Sequence, residues 1–295
     1  MKSLPHVLKD YNVLYDEPLL NHTTFKIGGP ADALALPESG DELRTLLCVL
    51  RNENIRYMIM GNGSNLLFPD SGFRGVIIST TRLTRLVVSD NIVYAEAGVL
   101  MSKTAAEAMR ASLTGLEFAS GIPGTLGGAV FMNAGAYGGE IKDVFFSAEI
   151  LTSDGSIQEI SPPEMNFGYR KSIIQENGSV LLSAVLKLRF GDYEEIKAKT
   201  DELTLARRSK QPIEMPSAGS VFRRPPGHYV GKLIMESGLR GYSVGGAQVS
   251  EKHCGFIVNK GGASCDDVLR LIDHIQTTVF NNFKVSLIPE IRIVR

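Results

Sequence analysis

Cysteine is scarce in this chain: three residues in 295. Cys48, Cys254 and Cys265 are odd in number and widely spaced, and no Cys-x-x-Cys pair exists to hold a metal or exchange disulfides. That leaves buried or idle thiols and no metal site. Net charge is also nearly absent, at -1, so the concentrated positive field needed to bind nucleic acid or an acidic membrane is missing. No apolar run approaches membrane-spanning length. Between Met1 and Pro18 the apolar residues are broken by Lys2, Lys9, Asp10, Asp16 and Glu17, which denies a signal peptide its core. The expected location is therefore the cytoplasm, where the sequon-like Asn21-His22-Thr23 and Asn177-Gly178-Ser179 carry no weight. Internal repeats and low-complexity tracts are missing as well. Nothing in the sequence assigns an oligomeric partner.

What is present is ordinary aliphatic material, 43% hydrophobic with 21% charged residues, enough for two globular domains. Thirty glycines gather at Gly28-Gly29, Gly61-Gly63, Gly121 to Gly139 and Gly245-Gly246. The pattern predicts a helix around Leu43 to Arg51, then a buried strand Tyr57 to Met60 leading straight into the second glycine group. Further strands are expected at Val76 to Ile78 and Ile92 to Ala97, with a helix over Leu100 to Ala111. Phe145 to Leu151, Ser156 to Ile160 and Val180 to Phe190 read as strands of one meandering sheet. Tyr193 to Lys210 reads as an exposed charged helix with apolar residues Ile196, Leu203 and Leu205. Val268, Ile272, Ile275, Val279 and Phe283 mark one face of a late helix, and Pro289 to Val294 a final strand. The fold class is α+β.

Gly61-Asn62-Gly63-Ser64-Asn65 offers closely spaced backbone amides, tolerance of positive φ and short polar side chains, all suited to phosphate oxygens. Taken alone, a tight turn explains it better. A second segment, Gly121-Ile122-Pro123-Gly124-Thr125-Leu126-Gly127-Gly128-Ala129, turns rigidly into a stretch of small residues ending in Asn133, Gly135 and Ala136. Two such loops can converge on the diphosphate of one dinucleotide. Neither matches the Rossmann fingerprint, and Gly227-His228-Tyr229-Val230-Gly231-Lys232-Leu233 is no P-loop: it is one residue short and lacks Ser or Thr after the lysine.

Thr24-Phe25-Lys26-Ile27-Gly28-Gly29, Gly61-Asn62-Gly63-Ser64-Asn65 and Ile122-Pro123-Gly124 with Gly127-Gly128 resemble the UDP-N-acetylenolpyruvoylglucosamine reductase family. The likeness continues through Tyr169-Arg170-Lys171-Ser172, Ala218-Gly219-Ser220-Val221-Phe222-Arg223-Arg224-Pro225, the Lys232 segment and Pro289-Glu290-Ile291-Arg292, nearly the whole chain. It implies a two-lobed FAD-binding module of the vanillyl-alcohol-oxidase-like (PCMH-type) fold over 1–190, with lobes about 1–82 and 83–190. A C-terminal α+β substrate-binding domain would follow over 191–295, its final strand able to return to the first lobe. It further implies non-covalent FAD, NADPH as hydride donor and a UDP-sugar as substrate. Flavin contacts are expected from Ile27, Gly28, Gly61, Asn62, Gly63, Ser64, Asn65, Leu66, Gly98, Gly121, Ile122, Pro123, Gly124, Gly127, Gly128, Asn133, Gly135 and Ala136.

The implied reaction is conjugate reduction of an enolpyruvyl ether, which needs cations for charge gathering toward a carboxylate and a donor to protonate carbon. By resemblance Ser220 is the general acid, Arg170 the charge stabiliser, and Glu290 the residue that holds or helps protonate the enolic system. Tyr169, Arg224, Lys232 and His253 are expected around the substrate anion. Each has a plainer reading: a turn serine, a surface arginine, a glutamate flanking a strand, a structural histidine. The segment between Ser172 and Gly219 is too short for a tyrosine-bearing lid, so the lidless type is implied. Two rivals stand beside this reading: another oxidoreductase on the same flavin fold, and a nucleotide-binding module that moves no hydride. Ser220, Arg224 and Glu290 weigh against the first.

Overall fold

The computed structural model describes residues 3–295, and its contacts gather into two units. One holds the chain up to Leu14 together with Ala33–Asn62 and Gly75–Ala206, the other Tyr15–Asp32, Gly63–Arg74 and Arg207–Arg295. This grouping is discontinuous in sequence, where the expectation drew a single cut at 190/191.

In the first unit, five antiparallel strands run in the order Ile157–Ile160, Phe145–Leu151, Val180–Lys187, Ile92–Glu96, Leu86–Ser89. The three strands expected as a meander are neighbours, and the earlier hairpin of Leu86–Ser89 and Ile92–Glu96 extends the same sheet. Val93 and Ala95 are buried while Tyr94 between them is only half-buried, the alternation of a sheet with one covered face. Met101–Arg110 and Leu126–Phe131 supply covering helices, and their Met101, Ala105, Ala108, Leu126, Ala129 and Val130 join one apolar core with the sheet.

A second core in this unit forms under Gly40–Asn52, whose Leu43, Leu46, Leu47 and Leu50 recur at helical spacing and are fully buried. Each such side chain contributes roughly 1.5–3 kcal/mol relative to exposure. Ser39 caps this helix, its side chain accepting from the Glu42 N–H at 3.1 Å. The strand Tyr57–Met60 pairs in parallel with Phe73–Ser79, Tyr57 opposite Val76 and Met60 opposite Ser79. Its carboxyl end opens directly into Gly61, the position where open α/β sheets hold ligands. Tyr193–Lys210 is helical as expected, but buries only Ile196 and Leu203; Leu205 is 69% exposed.

In the second unit the sheet order is Ser217–Ser220, Phe256–Asn259, Ala247–Val249, Ser243–Val244, all antiparallel. The helix Cys265–Phe283 buries Val268, Leu271, Ile272, Ile275 and Val279, adding Leu271 to the expected face. Its start is secured by a capping box between Ser264 and Asp267. The Asp70 carboxylate accepts two more of its N–H groups, Cys265 at 2.8 Å and Asp266 at 3.2 Å. That contact is one reason why residues 63–74 fold with the C-terminal segment. Pairing is another: Arg292–Ile293 lies parallel to Leu66–Leu67. The final strand is shorter than the expected Pro289 to Val294, because Pro289 has no N–H to give a ladder and makes only an isolated bridge with Phe222.

Cys254 and Cys265 are buried and Cys48 exposed; burial and the nearby Asp70 push the Cys265 thiol up to about 11, keeping it protonated. Among the described residues, no helix is long and apolar enough to cross a membrane, and no three metal-ligating side chains are gathered.

Candidate active site

The loop Gly61-Asn62-Gly63-Ser64-Asn65 leaves the first unit after Asn62. Within that unit Gly61 lies against the second glycine segment so closely that a Cβ would fall 2.3 Å from Thr125 Oγ1. Asn62 donates its amide to the Pro123 carbonyl at 2.6 Å. Gly127 packs on Ala97, where a Cβ would stand 3.0 Å from that residue's Cβ and carbonyl oxygen, and its N–H donates to that carbonyl at 2.8 Å. The Gly124 carbonyl accepts from Met101 N–H at 3.0 Å, and Thr125 caps the helix Leu126–Phe131. Gly98 has no room for a side chain: a Cβ would lie 2.0 Å from the Thr80 carbonyl. Two glycine segments far apart in sequence are thus side by side, packed where a Cβ would not fit. A diphosphate needs close backbone approach and N–H donors at short range; the N–H groups of Ile122, Leu126, Gly127 and Gly128 are spent on protein acceptors, so the fit rests on the close approach that the glycines permit.

Asn133, Gly135 and Ala136 follow the helix. Asn133 is fully buried with φ +41°, donating to Glu140 at 2.6 Å and to the Gly168 carbonyl at 3.0 Å while accepting from Lys142 N–H at 2.9 Å. Its amide is therefore committed to protein groups. Gly135 and Ala136 pair with Glu140 and Gly139 in a small antiparallel ladder. The Gly135 carbonyl accepts from Arg170 Nη2 at 3.1 Å, which brings an expected catalytic residue to an expected cofactor residue.

Tyr169 and Arg170 form the tip of a two-residue turn closed by reciprocal bonds between Gly168 and Lys171, at 3.1 and 3.2 Å. The Arg170 guanidinium lies 5.1 Å from the Tyr169 ring centroid, and Tyr169 is 54% exposed. Buried Ser172 anchors the turn, its Oγ donating to the Phe131 carbonyl at 2.7 Å.

In the second unit Ser220 ends the strand Ser217–Ser220, and its hydroxyl lies 3.5 Å from the carbonyls of Phe222 and Gly255. Both contacts are at the long limit of a hydrogen bond. The next residues run beside the C-terminal segment: Glu290 N–H donates to Val221 O at 2.7 Å, and Arg223 N–H to Ile288 O at 2.8 Å. Ser220 and Glu290, seventy positions apart, therefore flank one backbone pairing. Asn65 joins them, donating its amide to the Glu290 carbonyl at 3.3 Å, while its own carbonyl accepts from Arg292 N–H at 2.9 Å. Gly63, at φ +61°, sits where a Cβ would be 2.3 Å from His22 O, and Gly28, at φ +136°, against Phe68 and Leu19. Ile27 is buried beside them, its carbonyl accepting from Thr23 Oγ1 at 3.3 Å.

His253 accepts at Nδ1 from Gly255 N–H at 3.1 Å, so its proton sits on Nε2. Burial holds this imidazole below its ordinary pKa and hence neutral at neutral pH. Gly255 fills the narrow gap between this ring and Ser220: a Cβ there would be 2.9 Å from His253 Cε1 and 3.6 Å from Ser220 Oγ. Arg224 stacks on Tyr229, guanidinium carbon 4.0 Å from the ring centroid, and Tyr229 is 63% exposed. Tyr229 was not singled out from sequence; an exposed tyrosine in a Gly/Pro-rich turn gives no signal until the stack is seen. Lys232 lies on the helix Val230–Glu236, its Nζ 3.7 Å from Glu236 and largely in solvent.

Residues 31–161 match the FAD binding domain family, and residues 211–294 match the C-terminal domain of UDP-N-acetylenolpyruvoylglucosamine reductase. The chain is 53% identical to UDP-N-acetylenolpyruvoylglucosamine reductase of Caldanaerobacter subterraneus subsp. tengcongensis, over 99% of this chain and 96% of that one. The crystal structure of the reductase from Thermus caldophilus is similar with a TM-score of 0.83 at 36% identity, covering 97% of this chain and 99% of that one. An alkyldihydroxyacetonephosphate synthase structure shares the fold alone, with a TM-score of 0.50 at 17% identity over 64% of this chain and 41% of that one. The α+β architecture is thus a PCMH-like FAD-binding fold joined to the reductase C-terminal domain. With identity above one half running essentially end to end, the chain belongs to the UDP-N-acetylenolpyruvoylglucosamine reductase family.

Proposed function

We propose that this chain reduces UDP-N-acetylenolpyruvoylglucosamine to UDP-N-acetylmuramate with NADPH, in the cytoplasm, for peptidoglycan precursor synthesis. The observation that carries this reading is the full-length likeness to reductases of that name. FAD, bound without a covalent link, supplies the hydride relay between NADPH and the enolpyruvyl group. The glycine segments Gly61–Leu66 and Gly121–Gly128, with Ile27, Gly28 and Gly98, are the residues that would hold it, by the close backbone approach that the glycines allow. Residues 1–190 would thus supply most of the flavin contacts, together with Tyr169 and Arg170 toward the substrate, and residues 191–295 the remaining sugar-nucleotide contacts.

The chemistry left to the side chains is electrostatic and protonic. As hydride adds to the terminal vinyl carbon, negative charge moves toward the substrate carboxylate, and the Arg170 guanidinium stabilises it. Stacking on Tyr169 and the bond to Gly135 O restrict where that guanidinium can point. Ser220 then gives its proton to the carbon bearing the ether oxygen. Two long contacts in place of one short one leave its hydroxyl little to lose on turning to that acceptor. Glu290, fixed beside it through Val221, holds the enolic system and supports the proton transfer. Tyr169, Arg224, Lys232 and neutral His253 orient the anionic substrate by hydrogen bonds.

FAD-loaded protein is expected to oxidise NADPH when the enolpyruvyl sugar nucleotide is added, with lactyl ether as product. Flavin that NADPH does not reduce would instead indicate a nucleotide-binding module, and reduced flavin that the substrate does not reoxidise another oxidoreductase.

A further inference from the structure

We propose that Gln175 is a positioning residue for Arg170, an inference that rests on the charge-stabilising role given to Arg170 above. Arg170 sits at φ +55°, a left-handed conformation that is unfavourable for a non-glycine residue and persists only where neighbours impose it. Its side chain accounts for one end of that restraint through Gly135 O. The backbone end is held by Gln175, on the short helix Ile174–Asn177. The Gln175 amide nitrogen donates to the Phe131 carbonyl at 2.6 Å and to the Arg170 carbonyl at 3.1 Å, with Met132 Sδ a weaker third neighbour at 3.9 Å.

One carboxamide therefore ties the arginine backbone to the last carbonyl of the helix that the second glycine segment begins. Phe131 O sits at a helix C-terminus, where it lacks an intrahelical donor, and it accepts from both Gln175 and Ser172. Two hydrogens on one long neutral side chain suit the task, because a carboxylate there would face two carbonyl oxygens and a shorter amide would not reach both. Asn133 secures the opposite side of the turn through Gly168 O. Gln175 differs from Asn133 and Ser172 in being exposed, so its removal opens no core cavity. The expected consequence is misplacement of Arg170 with the fold intact.

The test uses full-length, FAD-loaded protein carrying Gln175→Leu, which keeps the bulk and removes both N–H donors, Gln175→Lys, which restores a nitrogen with N–H donors, and Arg170→Ala. Stopped-flow absorbance reads flavin reduction by NADPH and, separately, reoxidation by UDP-N-acetylenolpyruvoylglucosamine, with thermal midpoints measured alongside. For Gln175→Leu, reduction and thermal midpoint stay near wild type and reoxidation slows about ten-fold, the effect of loosening one positioning hydrogen bond. Gln175→Lys returns reoxidation to within about threefold of wild type, since its ammonium again offers N–H donors to both carbonyls, from a less well matched position. Unchanged reoxidation in Gln175→Leu, or an equal fall of both half-reactions with a lowered midpoint, overturns the proposal. Should Arg170→Ala reoxidise at the wild-type rate, the role of Arg170 itself fails and takes the proposal with it; slow reoxidation in Arg170→Ala beside normal reoxidation in Gln175→Leu refutes the positioning role alone.

Discussion

Two buried asparagines, one in each unit, do the same physical work on different segments. Asn133 in the first unit donates to Glu140 and Gly168 O and accepts from Lys142 N–H. Asn259 in the second donates to Phe25 O and Lys26 O, each at 3.2 Å, and accepts from the N–H groups of Gly261 and Ala263 at 2.9 and 3.1 Å. Asn133 thereby fixes the turn that carries Arg170, and Asn259 fixes the Thr24–Gly29 segment against the sheet that carries Ser220. They differ in reach. Asn133 ties groups within 35 positions, whereas Asn259 ties groups more than 230 positions apart. A side chain in a glycine-rich stretch invites a ligand-contact reading, as Asn133 does, yet its polar atoms are spent on protein groups, the Glu140 carboxylate and two backbone groups. The residue doing the equivalent work at long range carries no sequence mark at all.

Substitution can break this parallel. Asn133→Ala and Asn259→Ala should each lower unfolding stability by about 2–4 kcal/mol, because three or four polar groups lose their partner at once. Denaturant unfolding measures both; a loss below about 0.5 kcal/mol, the scale of a surface change, would show that the network relaxes without cost. The shorter-range pin should also leave the two half-reactions unequal, slowing substrate reduction more than flavin reduction through the Arg170 turn.

A smaller effect in the second unit is read by pH. Asp267 is held below its ordinary 3.8 chiefly by accepting from the Ser264 and Gly246 N–H groups, with Ser264 Oγ and Arg270 adding to it. A carboxyl lowered by folding contributes stability that is fully present above its unfolded value and is lost as pH falls through the folded one. Asp267→Asn should therefore cost about 1 kcal/mol at neutral pH, the usual worth of a helix cap, and should flatten the acid side of the stability profile below pH 3.8. An unchanged acid limb would assign acid sensitivity to other carboxylates.

Local chemistry was legible where it is encoded locally. Leucines at helical spacing marked Gly40–Asn52, the apolar run Tyr57–Met60 led into Gly61 as expected, and four of the five residues named for the late helix face are buried. Other features depend on contacts no window of sequence contains. Residues 63–74 group with the C-terminal segment because Asp70 caps Cys265–Phe283 and Leu66–Leu67 pairs with Arg292–Ile293, and residues 15–32 do so through Thr24 donating to Ser217 O and Asn259 donating to Phe25 O and Lys26 O. The adjacency of Ser220 and Glu290 follows from the same long-range pairing through Val221. Family resemblance supplied those residues as a set; spacing alone left Ser220 a turn serine. Leu205 and the short final strand show the opposite limit, where apolarity or β-propensity was present without a surface or partner to use it.

The most direct measurement is the pair of half-reactions in Ser220→Ala. Protonation follows hydride delivery, so flavin reduction by NADPH should proceed at the wild-type rate while reoxidation by the enolpyruvyl sugar nucleotide slows by about 10²–10⁴-fold, the usual contribution of a general acid. Reoxidation at the wild-type rate, or equal loss of both half-reactions, would contradict the role of Ser220 and the mechanism built around it.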